Sequence, residues 1–213
     1  MLDLLYGFFV KPIELVVEII FSLMYRIFGN AGIAIVFVSI VIQLLVLPMY
    51  KRADALQDAE RAKQKEMKPW VDHIKKTFKG DERFMMLSTY YREVGYSQLS
   101  SIKSSLSLLL QIPFFIAAYN YLSGLSVLKG ASFLWLGDLA LPDGSFTVGS
   151  IVINVLPILM TFFNIISGII YTKGFPIKDK IQTYGLALIF LVVLYNCPSG
   201  LVLYWTLNNL FSL

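Results

Sequence analysis

Gln43, Gln111, Asn154, Asn164, Thr206, Asn208 and Asn209 punctuate the apolar segments of this 213-residue chain. Amides and hydroxyls donate and accept hydrogen bonds without titrating near neutral pH, so their chemistry is recognition of polar groups, not proton transfer. Side chains with acid–base or nucleophilic reach stand elsewhere. His73 is the single histidine and lies in a charged insert, and no Asp or Glu falls inside an expected span. Cys197 is the single cysteine, which excludes an intrachain disulfide and any cysteine-based metal cluster. An integral-membrane enzyme such as an acyltransferase is therefore disfavoured, and neither a cofactor nor a metal site is expected. Within lipid each amide must still find a partner. Interhelical contacts worth about 0.6–2 kcal/mol meet that need, and so does a polar path cut into the membrane; the residues alone leave both open.

The elements that hold these side chains follow from composition. The chain is 57% hydrophobic, 15% aromatic and 15% charged, with mean hydropathy +0.68, whereas soluble domains carry about 25% charged residues. A net charge of +4 and a pI near 9.0 report basic cytoplasmic loops in so apolar a chain, with no specific nucleic-acid partner implied. The expectation is one all-α integral membrane domain with five transmembrane helices, an N-terminal interfacial amphipathic helix and a cytoplasmic helical hairpin. Residues 1–29 form the outer amphipathic helix: Pro12 suits its first turn, Glu14, Glu18, Ser22 and Arg26 line one face, and Leu15, Val16, Ile19, Ile20, Leu23 and Ile27 fill the other. Span 1 covers 30–50, long enough for a hydrocarbon core of about 30 Å.

Residues 51–103 form the hairpin, and the stretch 50–103 holds 12 of the 18 Lys and Arg and 8 of the 14 Asp and Glu. One helix is expected from about Ala53 to Phe78, bent or interrupted near Pro69, with Met67, Trp70, Ile74 and Phe78 along one stripe. Lys79-Gly80-Asp81 is turn chemistry. A second helix carries Phe84, Leu87, Tyr91 and Val94 to Gly95, and the two stripes are expected to pack together. A solvated topology anchor would need fewer residues, so Trp70, Phe78, Phe84 and Tyr91 are candidates for client or partner contact.

Span 2 is expected at 104–122, an outer loop at 123–147 whose Trp135 suits an interfacial belt, and span 3 at 148–171. A cytoplasmic loop follows at 172–180, then span 4 at 181–195, short enough to need a thin bilayer. A turn at Asn196–Gly200 leads to span 5 at 199–213. The sequence ends inside that last helix, which leads us to expect a cytoplasmic tail beyond it; no cleavable signal is evident at the start, where Asp3 comes early. Placing 50–103 and 172–180 inside puts 15 of 18 basic residues in the cytoplasm, with the N-terminus out and the C-terminus in.

Several motifs then converge on one family. IVIQLLVLP at 40–48, MKPWVDHIKKTFKGD at 67–81, LLLQIPFFIAAYNYL at 108–122, FLWLGDL at 133–139 and CPSGLVLYWTLNNLFS at 197–212 resemble the YidC-type membrane protein insertases, across nearly the whole chain. With no large extracytoplasmic domain, it looks like the short form of Gram-positive bacteria. The resemblance implies a bacterial plasma-membrane protein that passes polar segments of client membrane proteins through a hydrated groove open to cytoplasm and lipid. Clients and lipids would be its partners, with the ribosome, the translocon or a dedicated partner protein as further ones. The seven residues named at the outset would line or support the groove. A non-inserting scaffold or chaperone for one partner is the alternative. Three departures stand out: Gln43 occupies the position where the family usually has a groove arginine, Gly95-Tyr96-Ser97-Gln98-Leu99 replaces Gly-x-Asn-Pro-Leu, and no lipoprotein cysteine stands near the N-terminus. They fit a divergent paralogue. Loss of the arginine implies a weaker preference for acidic tails with the polar path intact.

Overall fold

A computed structural model describes residues 6–97, 106–149, 151–172 and 177–211. The Gln98-Leu99 motif positions, the expected start of span 2, residues 173–176 and the last two residues fall outside that set. Helices α1 (Lys11–Phe28), α2 (Ala31–Thr77), α3 (Gly80–Glu93), α4 (Leu106–Ser123), α5 (Val155–Tyr171), α6 (Ile177–Leu194) and α7 (Ser199–Phe211) dominate it. Strands β1 (Phe146–Val148) and β2 (Ile151–Ile153) pair antiparallel, with Thr147 opposite Val152. The chain divides into two compact units, Met1–Leu45 with Pro113–Leu213, and Val46–Ile112.

Helix α1 has Pro in its first turn and ends at Gly29, whose φ of 64° lets its N–H reach the Tyr25 carbonyl. Asn30 then accepts the Ile33 N–H at 3.0 Å, so its side chain caps the start of α2. Val17 and Phe21 are buried, with the Phe21 ring edge-on to Tyr121 at 5.8 Å. The apolar stripe Leu15, Ile19, Leu23 and Ile27 is exposed on the protein, the face that an interfacial helix offers to lipid. The helix thus has two apolar faces, one against protein and one free for lipid, where the sequence reading gave it one.

The expected break between span 1 and the hairpin does not occur. α2 is a single helix of 47 residues with Pro48 and Pro69 inside it. Each proline deprives the carbonyl four residues earlier of its N–H partner. Those carbonyls belong to Leu44 and Lys65, residues on the exposed side of the helix, and the helix continues through both prolines. By length and composition α2 is the one described helix long and apolar enough to cross a membrane; Val155–Ile170 and Thr183–Leu194 are shorter apolar stretches.

In the second unit the chain turns at Phe78–Lys79 and returns as α3, which starts on Gly80 (φ 57°) and is followed by Gly95 (φ 59°). The return is pinned by Gln64, whose Nε2 donates to the Tyr96 hydroxyl at 3.1 Å and to Glu60 Oε1 at 3.3 Å. Lys63 Nζ donates to the Gly95 carbonyl at 3.4 Å. Glu60, Met67 and Ile74 are buried. The expected mutual burial of both stripes is corrected: α3 buries no residue, and Trp70 and Phe84 are 63% and 68% exposed.

The start of span 3 is also corrected. Phe146–Val148 and Ile151–Ile153 pair as strands, with Gly149 at φ 64° after the first, because β-branched Val148, Ile151, Val152 and Ile153 favour a pleated surface, and α5 begins only at Val155. α6 begins at Ile177, four residues before the expected boundary.

Candidate functional site

Helix α7 is the centre of the first unit, with every residue from Ser199 to Thr206 buried. A helix start buried this deeply must have its free N–H groups met by protein. The loop at 138–141 does this: Ser199 N–H donates to the Leu141 carbonyl at 2.7 Å and Gly200 N–H to the Leu139 carbonyl at 2.9 Å. Ser199 Oγ adds a bond to the Asp138 carbonyl at 2.9 Å. Leu136 and Leu139 are buried beneath that loop, while Leu134 and Trp135 project from a tight turn in which Leu134 has φ 54°. FLWLGDL is thus more than the interfacial belt that the sequence reading made of it; its apolar half anchors the central helix.

Two rungs fix how α2 lies on α7. A β-carbon on Gly200 would sit 3.3 Å from Ile35 Cδ1, and one turn further along both helices Ser39 Oγ donates to the Tyr204 carbonyl at 3.4 Å, as well as to its own Ile35 carbonyl at 3.0 Å. Both steps advance four residues in the same direction, so the helices run parallel in register. The next four-residue step, about 6 Å, leads to Gln43 on α2 and to Asn208 on α7. Ser39 is fully buried, whereas Gln43 and Asn208 are half-buried and Leu44 is 64% exposed. The contacts at the first two rungs are buried, and beyond them Gln43 and Asn208 keep part of their surface while neighbouring Ile42, Val46 and Asn209 are buried.

Polar atoms on α5 and α7 lack partners. Asn208 Oδ1, Trp205 Nε1 and Ser167 Oγ are buried without a hydrogen bond, although native proteins pair nearly all such groups. The Trp205 indole is hemmed by Phe115 and Phe190 at 4.8 and 5.0 Å, which joins α4, α6 and α7. Neither α5 nor α7 carries an Asp, Glu, Lys or Arg, so the interior there offers hydrogen-bonding capacity without fixed charge.

The seven candidates separate. Gln43 on α2 and Asn208 on α7 are both half-buried, Asn209 next along α7 is buried, and half-buried Asn164 lies on the packed neighbour α5. Thr206 spends its hydroxyl on the Val202 carbonyl of its own helix at 2.7 Å. Asn154 is removed from the set. Its Oδ1 accepts the Gly144 N–H at 2.8 Å and its Nδ2 donates to the Tyr195 carbonyl at 2.7 Å, so it ties the β hairpin to the α6–α7 turn. Gln111 is half-buried and belongs to the second unit. The sequence reading missed Ser39, which its i, i+4 relation to Gln43 could have flagged. It also missed Asp143, whose Oδ2 accepts the Leu156 N–H at 2.6 Å and caps α5 from a distance. Among the described residues no group of three or more His, Cys, Asp or Glu is placed to hold a metal ion.

The described residues form an apolar helical bundle on a central helix with unpaired polar atoms, and one helix is long and apolar enough to cross a membrane. The family model described as 60Kd inner membrane protein matches residues 23–213, and the chain belongs to that family. It is 34% identical over 202 residues to the membrane protein insertase YidC of Herminiimonas arsenicoxydans, covering 89% of this chain and 33% of that protein. To the Wolinella succinogenes protein of the same name it is 32% identical over 212 residues, 97% of this chain and 36% of the other. The Treponema denticola namesake shares 27% over 220 residues, 96% and 37% respectively. A crystal structure described as an active YidC insertase with its first transmembrane domain resolved superposes with a TM-score of 0.60 at 22% identity, covering 96% of this chain and 45% of that one; this likeness is one of fold. The chain spans about a third of the length of the curated relatives it matches.

Proposed function

We propose that this chain is a membrane protein insertase or chaperone of the bacterial inner membrane, which passes polar segments of client membrane proteins along a hydrated groove. The observation that carries the reading is the set of buried polar atoms without a partner on α5 and α7, Asn208 Oδ1 among them, on a central helix that is tightly packed at Gly200–Ile35 and Tyr204–Ser39 and only half-buried at Asn208. Relatives named as insertases support it. Water in such a groove pairs the orphaned atoms and shortens the dry distance that a client's polar tail must cross, where each unsatisfied group costs several kcal/mol.

In this reading five helices span, the N-terminus faces out and the C-terminus in, and residues 51–103 are cytoplasmic, supported by the bias of basic residues. Helices α5 and α6, of 17 and 18 residues, reach about 26–27 Å, which thins the bilayer locally. Trp70 and Phe84, with half-buried Phe78 and Tyr91, serve client or partner contact on the hairpin. Reconstitution into liposomes with a single-span client bearing a short polar tail tests the function. Protease protection of the tail above the level of empty liposomes is expected, and equal protection in both refutes it.

A further inference from the structure

The structure assigns a lipid site to the outer loop of the first unit: a cavity of about 280 Å³ lined by Trp135, Ser145, Phe146 and Val155 takes the glycerol-proximal methylenes of one phospholipid acyl chain. Its placement at the outer leaflet rests on the five-span reading. The lining comes from the tight turn that carries Trp135, from β1 with the residue before it, and from the first residue of α5. Ser145 is the one polar side chain among the four, and its hydroxyl is spent on Asp143 Oδ1. Asp143 Oδ2 in turn takes the Leu156 N–H at 2.6 Å, and Asn154 Oδ1 takes the Gly144 N–H at 2.8 Å. Asp138, the other carboxylate of the loop, takes the Ala140 N–H at 2.8 Å. These polar groups are bonded within the protein, so an occupant gains little by bringing charge or hydrogen bonds. It gains by covering apolar surface.

Size and continuity select the occupant. A client helix is about 10–12 Å across, and no such cylinder enters a space of 280 Å³; a single hydrocarbon chain does. Val155 is followed at helical spacing by Ile158 and Phe162, 46% and 56% exposed. The cavity wall thus continues into an apolar stripe along α5, on which the rest of the chain can lie. Leu134 and Phe146 are 71% and 62% exposed, and clustered exposed apolar side chains mark contact with membrane or protein. The Trp135 indole joins an apolar ring to one N–H donor, the combination that suits the boundary between acyl chains and headgroups.

The test uses the full chain in maltoside micelles, titrated with phosphatidylcholine brominated near the glycerol end of its chains. Bromine quenches indole fluorescence at short range, and subtracting a Trp135→Phe titration separates Trp135 from Trp70 and Trp205, the other two tryptophans. Quenching of Trp135 should saturate, should be reversed by unbrominated phosphatidylcholine, and should weaken when the bromines sit near the methyl end. Val155→Phe fills the cavity and should lose the saturable quenching. Should that variant not fold, Phe146→Ala removes a wall and should shift the midpoint to higher lipid. No quenching, quenching that rises without saturating, or saturable quenching unchanged in the folded variant overturns the site. Absent quenching beside a photo-cross-link from position 146 to a client gives the cavity to clients and overturns the lipid assignment. Saturable quenching with Lys129→Cys shielded from outside in cells leaves the lipid site standing and overturns the five-span orientation.

Discussion

Replacing Gln43 by arginine and by leucine separates a wet groove from a dry helix contact. The rung above it is closed, since Ser39 is fully buried against Tyr204, while Gln43 is half-buried and followed by exposed Leu44 and Leu45. If position 43 were dry, an arginine would cost about 2.5–3.5 kcal/mol on insertion scales, a loss on the order of 10² in the folded fraction. With water at position 43 the guanidinium stays solvated, and the cost should fall below about 1 kcal/mol. Gln43→Leu should likewise leave thermal stability nearly unchanged, because the amide it removes faces water, yet it should slow insertion of polar-tailed clients. Gln43→Arg should shift preference toward acidic tails. The assay pairs expression yield and thermal unfolding in detergent with liposome insertion of acidic- and neutral-tailed clients. A Gln43→Arg protein that fails to fold, beside a Gln43→Leu protein that matches the parent in every assay, would refute the wet groove.

Gly32→Ala would drive a β-carbon into the Phe133 ring and should destabilise by about 1–3 kcal/mol; Phe133→Gly should recover part of that loss in a double-mutant cycle of thermal unfolding, and strict additivity would contradict it. Burial, and then a hydrogen bond with Glu60, push Tyr96 up to about 12. Because the folded value lies above the unfolded one near 10, the Tyr96 contribution is complete below pH 10 and is lost between about pH 10 and 12; Tyr96→Phe should remove one phenol titrating near the upper value from the ultraviolet absorbance curve, not one near 10. Replacing exposed Trp70 and Phe84 by serine should change stability by no more than about 0.5 kcal/mol while reducing client cross-linking to the hairpin; undiminished cross-linking would leave those side chains without a role. Cysteines placed at exposed Lys65 and Lys129 in a Cys197→Ser background should be shielded from and open to an external maleimide, respectively, in intact cells; the reverse pattern would invert the topology.

Local chemistry settled what depends on few neighbours. Pro12 and Gly29 bound α1, Gly80 and Gly95 bracket α3, and the apolar composition together with the motifs at 40–48 and 197–212 placed the chain among integral membrane proteins and in its family. Those properties follow from backbone freedom and transfer free energy, which a residue carries with it. Which amides meet a partner does not. Asn154 and Asn208 look alike in sequence, each a polar residue at an apolar helix, yet one has both ends of its amide bonded and the other keeps a buried oxygen unpaired. The difference arises because Asn154 lies where Gly144 and the Tyr195 turn converge, whereas no described group reaches the Asn208 oxygen near the end of α7. The continuity of α2 through two prolines, the strands at 146–153 and the exposed second stripe of α1 were decided likewise. Each depends on whether a neighbouring element or the solvent is present at that side of the chain, and only the tertiary structure brings those neighbours together.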